Sequence, residues 1–330
     1  MNGSSLVRRT VVILSLTLVA DPVASSQVPQ SSSESGNRIN AEEVKLYGGA
    51  HPYMDEPLSD IKKTVPELGG LEPAASQDQL SDLLAKVGAR ADELLQKVPN
   101  LISDEAVREA QWTIARRETS NCIGTGCLHF LAGANKERNQ EFSYLILTHS
   151  EQDNRLMLAE YRTNRNGKPI PQGTAAPHFQ GFIATWLVFT SANQVESRFR
   201  YLGQQQTDGH KTFVIGFAQL PGSVESPGRI LNEKGSIPML LQGVAWIDQS
   251  DFRIVRLRSD LLASQPQIDF QEQTCKIMFG VVKIVDWELW LPQAVAIELQ
   301  ANGQYLEEQH QYSNYRLYQT KTKVILTPNN

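Results

Sequence analysis

From Phe199 to Tyr318, apolar side chains recur at every second position, in runs broken by turn-forming residues. That period fits strands with one face buried and does not fit a helix. Phe199 and Tyr201 alternate with Arg198 and Arg200. After Asp208-Gly209, a two-residue hairpin signal, Phe213, Ile215 and Phe217 share one side of the return strand. Val244–Ile247 and Phe252–Arg258 read as a further hairpin around Asp248-Gln249-Ser250-Asp251. Cys275–Val285, Val295–Leu299 and Gln304–Tyr318 complete the series, with turns expected at Pro292 and Asn302-Gly303. Connections this short make neighbouring strands antiparallel. Gln219–Met239, rich in Pro and Gly, reads instead as a long irregular loop.

Upstream the pattern is mixed. Leu80, Leu83, Leu84, Val87, Ala91, Leu94, Leu95 and Val98 recur at three- and four-residue steps, which predicts an amphipathic helix. Ser76 is its expected N-cap and Pro99 its stop. Leu101–Arg117 mixes alanines with β-branched and aromatic residues and is read as one or two strands. Phe142–Thr148 and Arg155–Arg162 are strands, and Phe179–Leu187 has the spacing of a short apolar helix. The expectation is an α+β chain, mainly β, in which helices cover an antiparallel sheet.

The N-terminus has its own logic. Arg8-Arg9, an apolar run from Val11 to Ala20, and the small residues Val23-Ala24-Ser25-Ser26 follow the order of a secretory signal over residues 1–26. No later run approaches the ~20 apolar residues of a membrane helix, so the mature chain is expected to lack an integral membrane segment. Residues 27–75 read as a polar, flexible tether, ordered only where it docks, and 76–330 as one β-rich domain. Formal net charge is −5; removing Arg8, Arg9 and Asp21 with the signal takes away +1 and leaves −6. That balance argues against nucleic acid as a partner. Arg198, Arg200, Arg253, Arg256 and Arg258 are expected on a solvated outer face. In an oxidising compartment, Cys122 and Cys127, flanking Ile-Gly-Thr-Gly, are the candidate disulfide, with Cys275 as the competing partner. A zinc site from these cysteines and His129 lacks the close ligand pairs such sites use, so no metal and no cofactor are expected.

Recognised catalytic motifs are missing, among them G-x-S-x-G, H-E-x-x-H and the P-loop. His310 sits beside Glu307 and Glu308 in a late strand, which is weak ground for a general base. No catalytic residue is assigned and the chain is read as non-enzymatic. What the sequence offers is an apolar face: Phe199, Tyr201, Phe213, Ile215, Phe217, Trp246, Phe252 and Ile254 can lie on one side of a sheet. The two helices either fill the space over that face, making a core, or only lid it, leaving a hydrophobic cavity. Pattern alone leaves both open.

The order signal, tether, amphipathic helix, strands, short apolar helix and long meander resembles the envelope lipoprotein-sorting proteins of the LolA/LolB type. It also resembles exported, uncharacterised proteins of the acidobacterial kind. The resemblance is carried by Arg198-Phe-Arg-Tyr-Leu-Gly203, Asp208-Gly-His-Lys-Thr-Phe-Val-Ile215, Gly243-Val-Ala-Trp-Ile-Asp248, Phe252-Arg-Ile-Val-Arg256 and Leu289-Trp-Leu-Pro292, over residues 76–320. It implies a curved, incomplete β-barrel around a hydrophobic cavity, lidded by helices, in a periplasmic or secreted protein. The implied function is non-enzymatic binding of a lipid, an acylated protein (lipoprotein) or another hydrophobic ligand. The alternatives are an envelope scaffold or stress-sensor domain that binds another envelope protein, and a hydrolase of unknown type.

Overall fold

The computed structural model describes residues 15–17, 47–115, 129–130, 136–150, 156–170, 182, 184–224, 228–232 and 235–318. Its helices are α1 (Leu58–Thr64) and α2 (Leu80–Lys97). The strands begin with β1 (Ser15–Thr17), β2 (Glu72–Pro73), β3 (Leu101–Ala115), β4 (His129–Phe130), β5 (Lys136–Ser150) and β6 (Leu156–Thr163). They continue with β7 (Ser197–Thr207), β8 (His210–Gln219), β9 (Gly228–Asn232), β10 (Gly235–Met239), β11 (Leu241–Asp248) and β12 (Ile254–Leu261). The last three are β13 (Phe270–Ile284), β14 (Trp287–Ala301) and β15 (Gln304–Leu317).

One antiparallel sheet dominates, in the order β2-β7-β8-β11-β12-β13-β14-β15-β3-β5-β6, and it is not closed into a barrel. Its register follows from local turn chemistry. Asp208 and Gly209 (φ 50° and 84°) turn the chain so that Thr207 faces His210. Asn302 and Gly303 (φ 51° and 67°) do the same for Ala301 and Gln304. Asn, Asp and Gly are the residues that tolerate such angles. Leu101–Ala115 is a single strand, sandwiched between β15 and β5.

The sheet carries a core on each face. On the concave side, α2 lays Leu83, Val87, Ala91 and Leu95 against Tyr201, Ile215, Phe217, Leu257 and Ile277, all buried. On the convex side, Tyr47, Ile61, Val65, Leu68 and Leu71 pack on Leu202, Val214, Val244, Trp246 and Val255. Residues 47–75, expected within the tether, therefore form a docked strap. Arg198 pairs with Asp55 at 2.5 Å, and Arg258 reaches Glu67 at 2.8 Å. Arg258, expected on a solvated face, is buried at 6 % exposure because the strap covers it and Asp260 neutralises it.

Other details depart from the sequence reading. The N-cap position of α2 is Gln79, without a side-chain cap, while Ser76 bonds locally to Asp78. Residues 184–189 form a 3-10 turn in place of the helix expected over Phe179–Leu187; Phe179 lies outside the described residues. Gln219–Met239 contains the β9–β10 hairpin, and Ser15–Thr17, from the expected signal, lies parallel to β9. Pro292 sits inside β14 opposite Phe279, next to a bulge at Gln293 of the same strand, so its missing N–H is tolerated. Cys122 and Cys127 lie outside the described residues, and Cys275 is a buried thiol.

Candidate functional site

The concave face is built by cross-strand register. Phe199 lies opposite Phe217, and Tyr201 opposite Ile215, between β7 and β8. Ile215 then faces Ala245, and Phe213 faces Ile247, on β11. Tyr201, Ile215, Phe217 and Ile254 are buried in this core, with Phe199, Phe213 and Phe252 packed against it. Phe213 stacks on Phe252 with ring centroids 6.3 Å apart, and Tyr201 meets Phe213 edge-on at 6.2 Å. The eighth expected member, Trp246, is on the other side. It pairs with Val214, and both point into the convex core, where the Trp246 indole N–H donates to Gln205 Oε1 at 3.1 Å. The reason is parity: β11 is buried on both faces, so adjacent apolar residues there belong to opposite cores.

Helix and turn fill the groove above this face. Phe189 contacts Phe199 and Phe217 with centroids 5.4 and 5.6 Å away. Gly88 lets α2 approach the turn: a Cβ there would meet Gln194 Nε2 at 2.7 Å and Ser191 Oγ at 2.8 Å. Gln194 exploits that gap, its amide donating to Leu84 O at 2.8 Å and Phe189 O at 2.9 Å. At one end a slot of about 20 Å³ is left, with Val87, Ala91, Leu94, Trp186, Phe252 and Trp290 among its walls. Arg90 and Arg253 also line it, the latter with its guanidinium 4.3 Å from the Trp290 ring. A space that small holds about one water. Among the described residues, seven of the eight predicted ligand-binding side chains thus pack in the core beneath α2 and the 184–189 turn.

The far end of the same face holds charge instead. Alternation along β3 and β15 brings Glu105, Glu308, His310 and Tyr312 to the inner side, and β5 and β6 add Tyr144, Glu160 and Arg162. His310 Nδ1 lies 2.9 Å from Glu105 Oε1, and Nε2 lies 3.1 Å from Glu308 Oε2. Arg162 binds Glu105 through Nε at 2.5 Å and Nη2 at 2.7 Å. The Tyr312 hydroxyl donates to Glu105 at 2.9 Å, and the Tyr144 hydroxyl to Glu160 at 2.6 Å. Phe182 closes over the imidazole edge-on at 5.1 Å.

Burial alone would push the Glu105 carboxyl up, but Arg162 and His310 outweigh it and hold it at about 2. Burial likewise opposes charge on His310, yet its bonds to Glu105 and Glu308 raise its pKa. A carboxyl group at each ring nitrogen thus favours the charged form of the imidazole, in which both nitrogens donate. The ring is 0 % exposed, enclosed by the side chains that bond it and by Phe182. The cluster is an anchor. Its sequence signal was the even spacing of ionisable residues along two strands, i, i+2 for Glu308 and His310 and i, i+4 for Glu105 and Glu109, which puts each pair on one buried parity.

A scan against protein-family models finds no match, and a search of curated proteins finds none. Among solved structures, the chain is similar to a domain assigned as an outer membrane lipoprotein-sorting protein from Vibrio parahaemolyticus. That match has 12% identity, covers 71% of this chain and 90% of the other, and has a TM-score of 0.33. A DUF1329 family protein from Desulfovibrio piger matches at 12% identity over 73% of this chain and 93% of that one, again with a TM-score of 0.33. Likeness at that level assigns no function.

Proposed function

We propose that the chain is an exported, non-enzymatic protein that binds a hydrophobic ligand, a lipid or an acylated protein, on its concave face. In this reading α2 and the 184–189 turn are a lid that occupies the groove while it is empty. Residues 1–26 act as the export signal and 76–330 form the ligand-binding domain. The supporting observation is the single apolar face running from Phe199 to Ile254 beneath an amphipathic helix. The exchange is energetically reasonable. Lifting Leu83, Val87 and Leu95 from the sheet costs about 1.5–3 kcal/mol each, whereas a chain of about 16 carbons recovers up to about 12 kcal/mol at 0.8 per methylene. No helix among the described residues is long and apolar enough to cross a membrane. Native mass spectrometry of gently purified protein tests the reading: a co-purified lipid supports it, and delipidated protein that takes up no fatty acid or phospholipid contradicts it.

The tight filling of the groove favours a second reading, in which the sheet is a rigid scaffold or sensor domain for another envelope protein. That reading expects no lipid and no uptake, together with a folded, cooperatively melting chain.

A further inference from the structure

The slot of about 20 Å³ at the end of the concave groove is walled by two arginines and, among the described residues, by no acid. Arg90 comes from α2, the helix above the groove. Arg253 comes from the sheet below, at the residue before β12. The rest of the lining is apolar, with Val87, Ala91 and Leu94 above and Phe252 and Trp290 below. Arg253 lies over the Trp290 ring at 4.3 Å, and a guanidinium stacked in this way still donates in its own plane. One turn before Arg90, Lys86 sits over the Phe252 ring at 5.2 Å and adds a third cation to the same end.

The pairing of these cations differs from that of the arginines that brace the fold. Arg162 takes its carboxylate from another strand, as Glu105, and Arg258 takes one from the strap, as Glu67. Around the slot each partner is local. Arg90 bonds Glu93, Arg253 bonds Asp251 through Nε at 2.6 Å, and Lys86 bonds Asp82 at 2.7 Å. None of the three pairs reaches from helix to sheet. Solvent-exposed pairs within one segment are worth at most about 1 kcal/mol, so another anion can displace them. Arg90 also keeps a buried Nε with no hydrogen-bond partner, where buried donors are ordinarily satisfied. The acceptor that matches two planar guanidinium forks is a carboxylate or a phosphate. Since the slot opens onto Phe252, which stacks on Phe213 in the groove, that anion would be the head of an apolar chain.

We infer that the slot is a head-group site for an acidic amphiphile, whose carboxylate or phosphate binds between Arg90 of the lid and Arg253 of the sheet while its chain runs toward Phe213. The inference rests on the concave-face reading and names the polar end of that ligand. With α2 down the slot holds about one water, so the anion enters as the helix lifts and then ties helix to sheet. Dodecanoate and dodecanol, equal in chain length, are the probes, each titrated by calorimetry into the delipidated full chain at low salt, below micelle-forming concentrations. Dodecanoate is expected to bind about tenfold more tightly, an advantage that shrinks as salt is added. Arg90→Gln and Arg253→Gln should each bring the ratio close to one. Arg253→Lys should keep a preference of the same sign, and Lys63→Gln, on the convex strap, should keep it whole. Both arginine side chains are partly exposed, at 25 % and 26 %, and are replaced without breaking an ion pair between elements, so each variant should fold. Equal binding of dodecanol and dodecanoate overturns the head-group site and leaves the groove a lipid site. Binding of neither overturns the concave-face reading and the head-group site with it. A ratio unmoved in both Gln variants overturns the site, as does displacement of dodecanoate by acetate at like concentration, which would make it a pocket for free anions.

Discussion

His310 Nδ1 sits 2.9 Å from Glu105 Oε1 at a point where neither side chain touches solvent, though the two are 205 residues apart in sequence. The pair staples β15 to β3, the join at which the carboxy-terminal meander closes onto the first long strand. Since Arg162 on the edge strand β6 also binds Glu105, one carboxylate ties three strands together. Buried ion pairs are poor sources of net stability but costly to break from one side.

Removing the imidazole should therefore be severe. His310→Ala leaves Glu105 and Glu308 buried without their shared cation and is expected to cost about 3–5 kcal/mol. Urea denaturation checks this, read as a fall in midpoint with an unchanged slope.

The same cluster sets opposite pH limits. Glu105 is held at about 2 against 4.5 when free, so its stabilisation is present above 4.5 and drains away as pH falls toward 2. At 1.36 kcal/mol per pH unit between the two values, the loss is about 3 kcal/mol. His310 works the other way. Its raised pKa gives stability that is complete below its free value of 6.5 and fades as pH rises through the folded one. Melting temperature followed from pH 2 to 10 should fall on both sides, and Glu105→Gln should flatten the acid limb; an unchanged acid limb in that variant would sink the assignment.

Much of this architecture was legible because turn chemistry and period two agree. Asp208-Gly209 and Asn302-Gly303 fixed two hairpin turns, and a bulge between Tyr201 and Gly203 then brings Phe199 and Tyr201 to the side of Ile215 and Phe217. Trp246 was misplaced because a strand buried on both faces erases the alternation that tells the faces apart. The strap was invisible for a related reason. Tyr47, Ile61, Val65 and Leu68 are spaced without a sustained period, and only the convex face of the sheet shows what they cover. Likewise Glu105 and Arg162 look like ordinary polar strand residues until β3, β6 and β15 are brought side by side. Whether the groove was full or open was beyond the pattern, since lid and plug use the same apolar helix.

The keyed contact at Gly88 offers a direct handle on that lid. In Gly88→Ala the new methyl must displace Gln194 or Ser191, at 2.7 and 2.8 Å, and loosen the amide bonds that tie turn to helix. Overpacking of this kind costs about 1–3 kcal/mol. The expected readout is stronger fluorescence of a hydrophobic dye and faster amide exchange confined to α2 and residues 184–196. A variant that melts early but binds no more dye would show that α2 is a plug without a lid's freedom.

Phe217 tests the face itself. It is 1 % exposed and packs edge-on against Phe189, so Phe217→Asp puts an unpaired charge in the middle of the concave core. Loss of the folded state is expected, seen as a collapsed thermal transition. Phe217→Leu, which keeps the interior apolar, should retain the fold at a cost of about 1–2 kcal/mol.

The tip of the β13–β14 hairpin violates local preference in the opposite sense, and so can be improved. Ile284 faces Trp287, so Val285 and Asp286 form a two-residue turn in which Val285 has φ 54° and is 85 % exposed. A β-branched side chain is strained at that angle, where asparagine is at ease, and exposure means that valine gains little from packing. Val285→Asn is expected to stabilise the chain by about 1 kcal/mol, measured as a raised urea midpoint. Because the turn lies outside the concave groove, lipid uptake should be untouched. A drop in uptake would mean that the exposed valine and its neighbour Trp287, itself 52 % exposed, are held in that conformation for contact with something else.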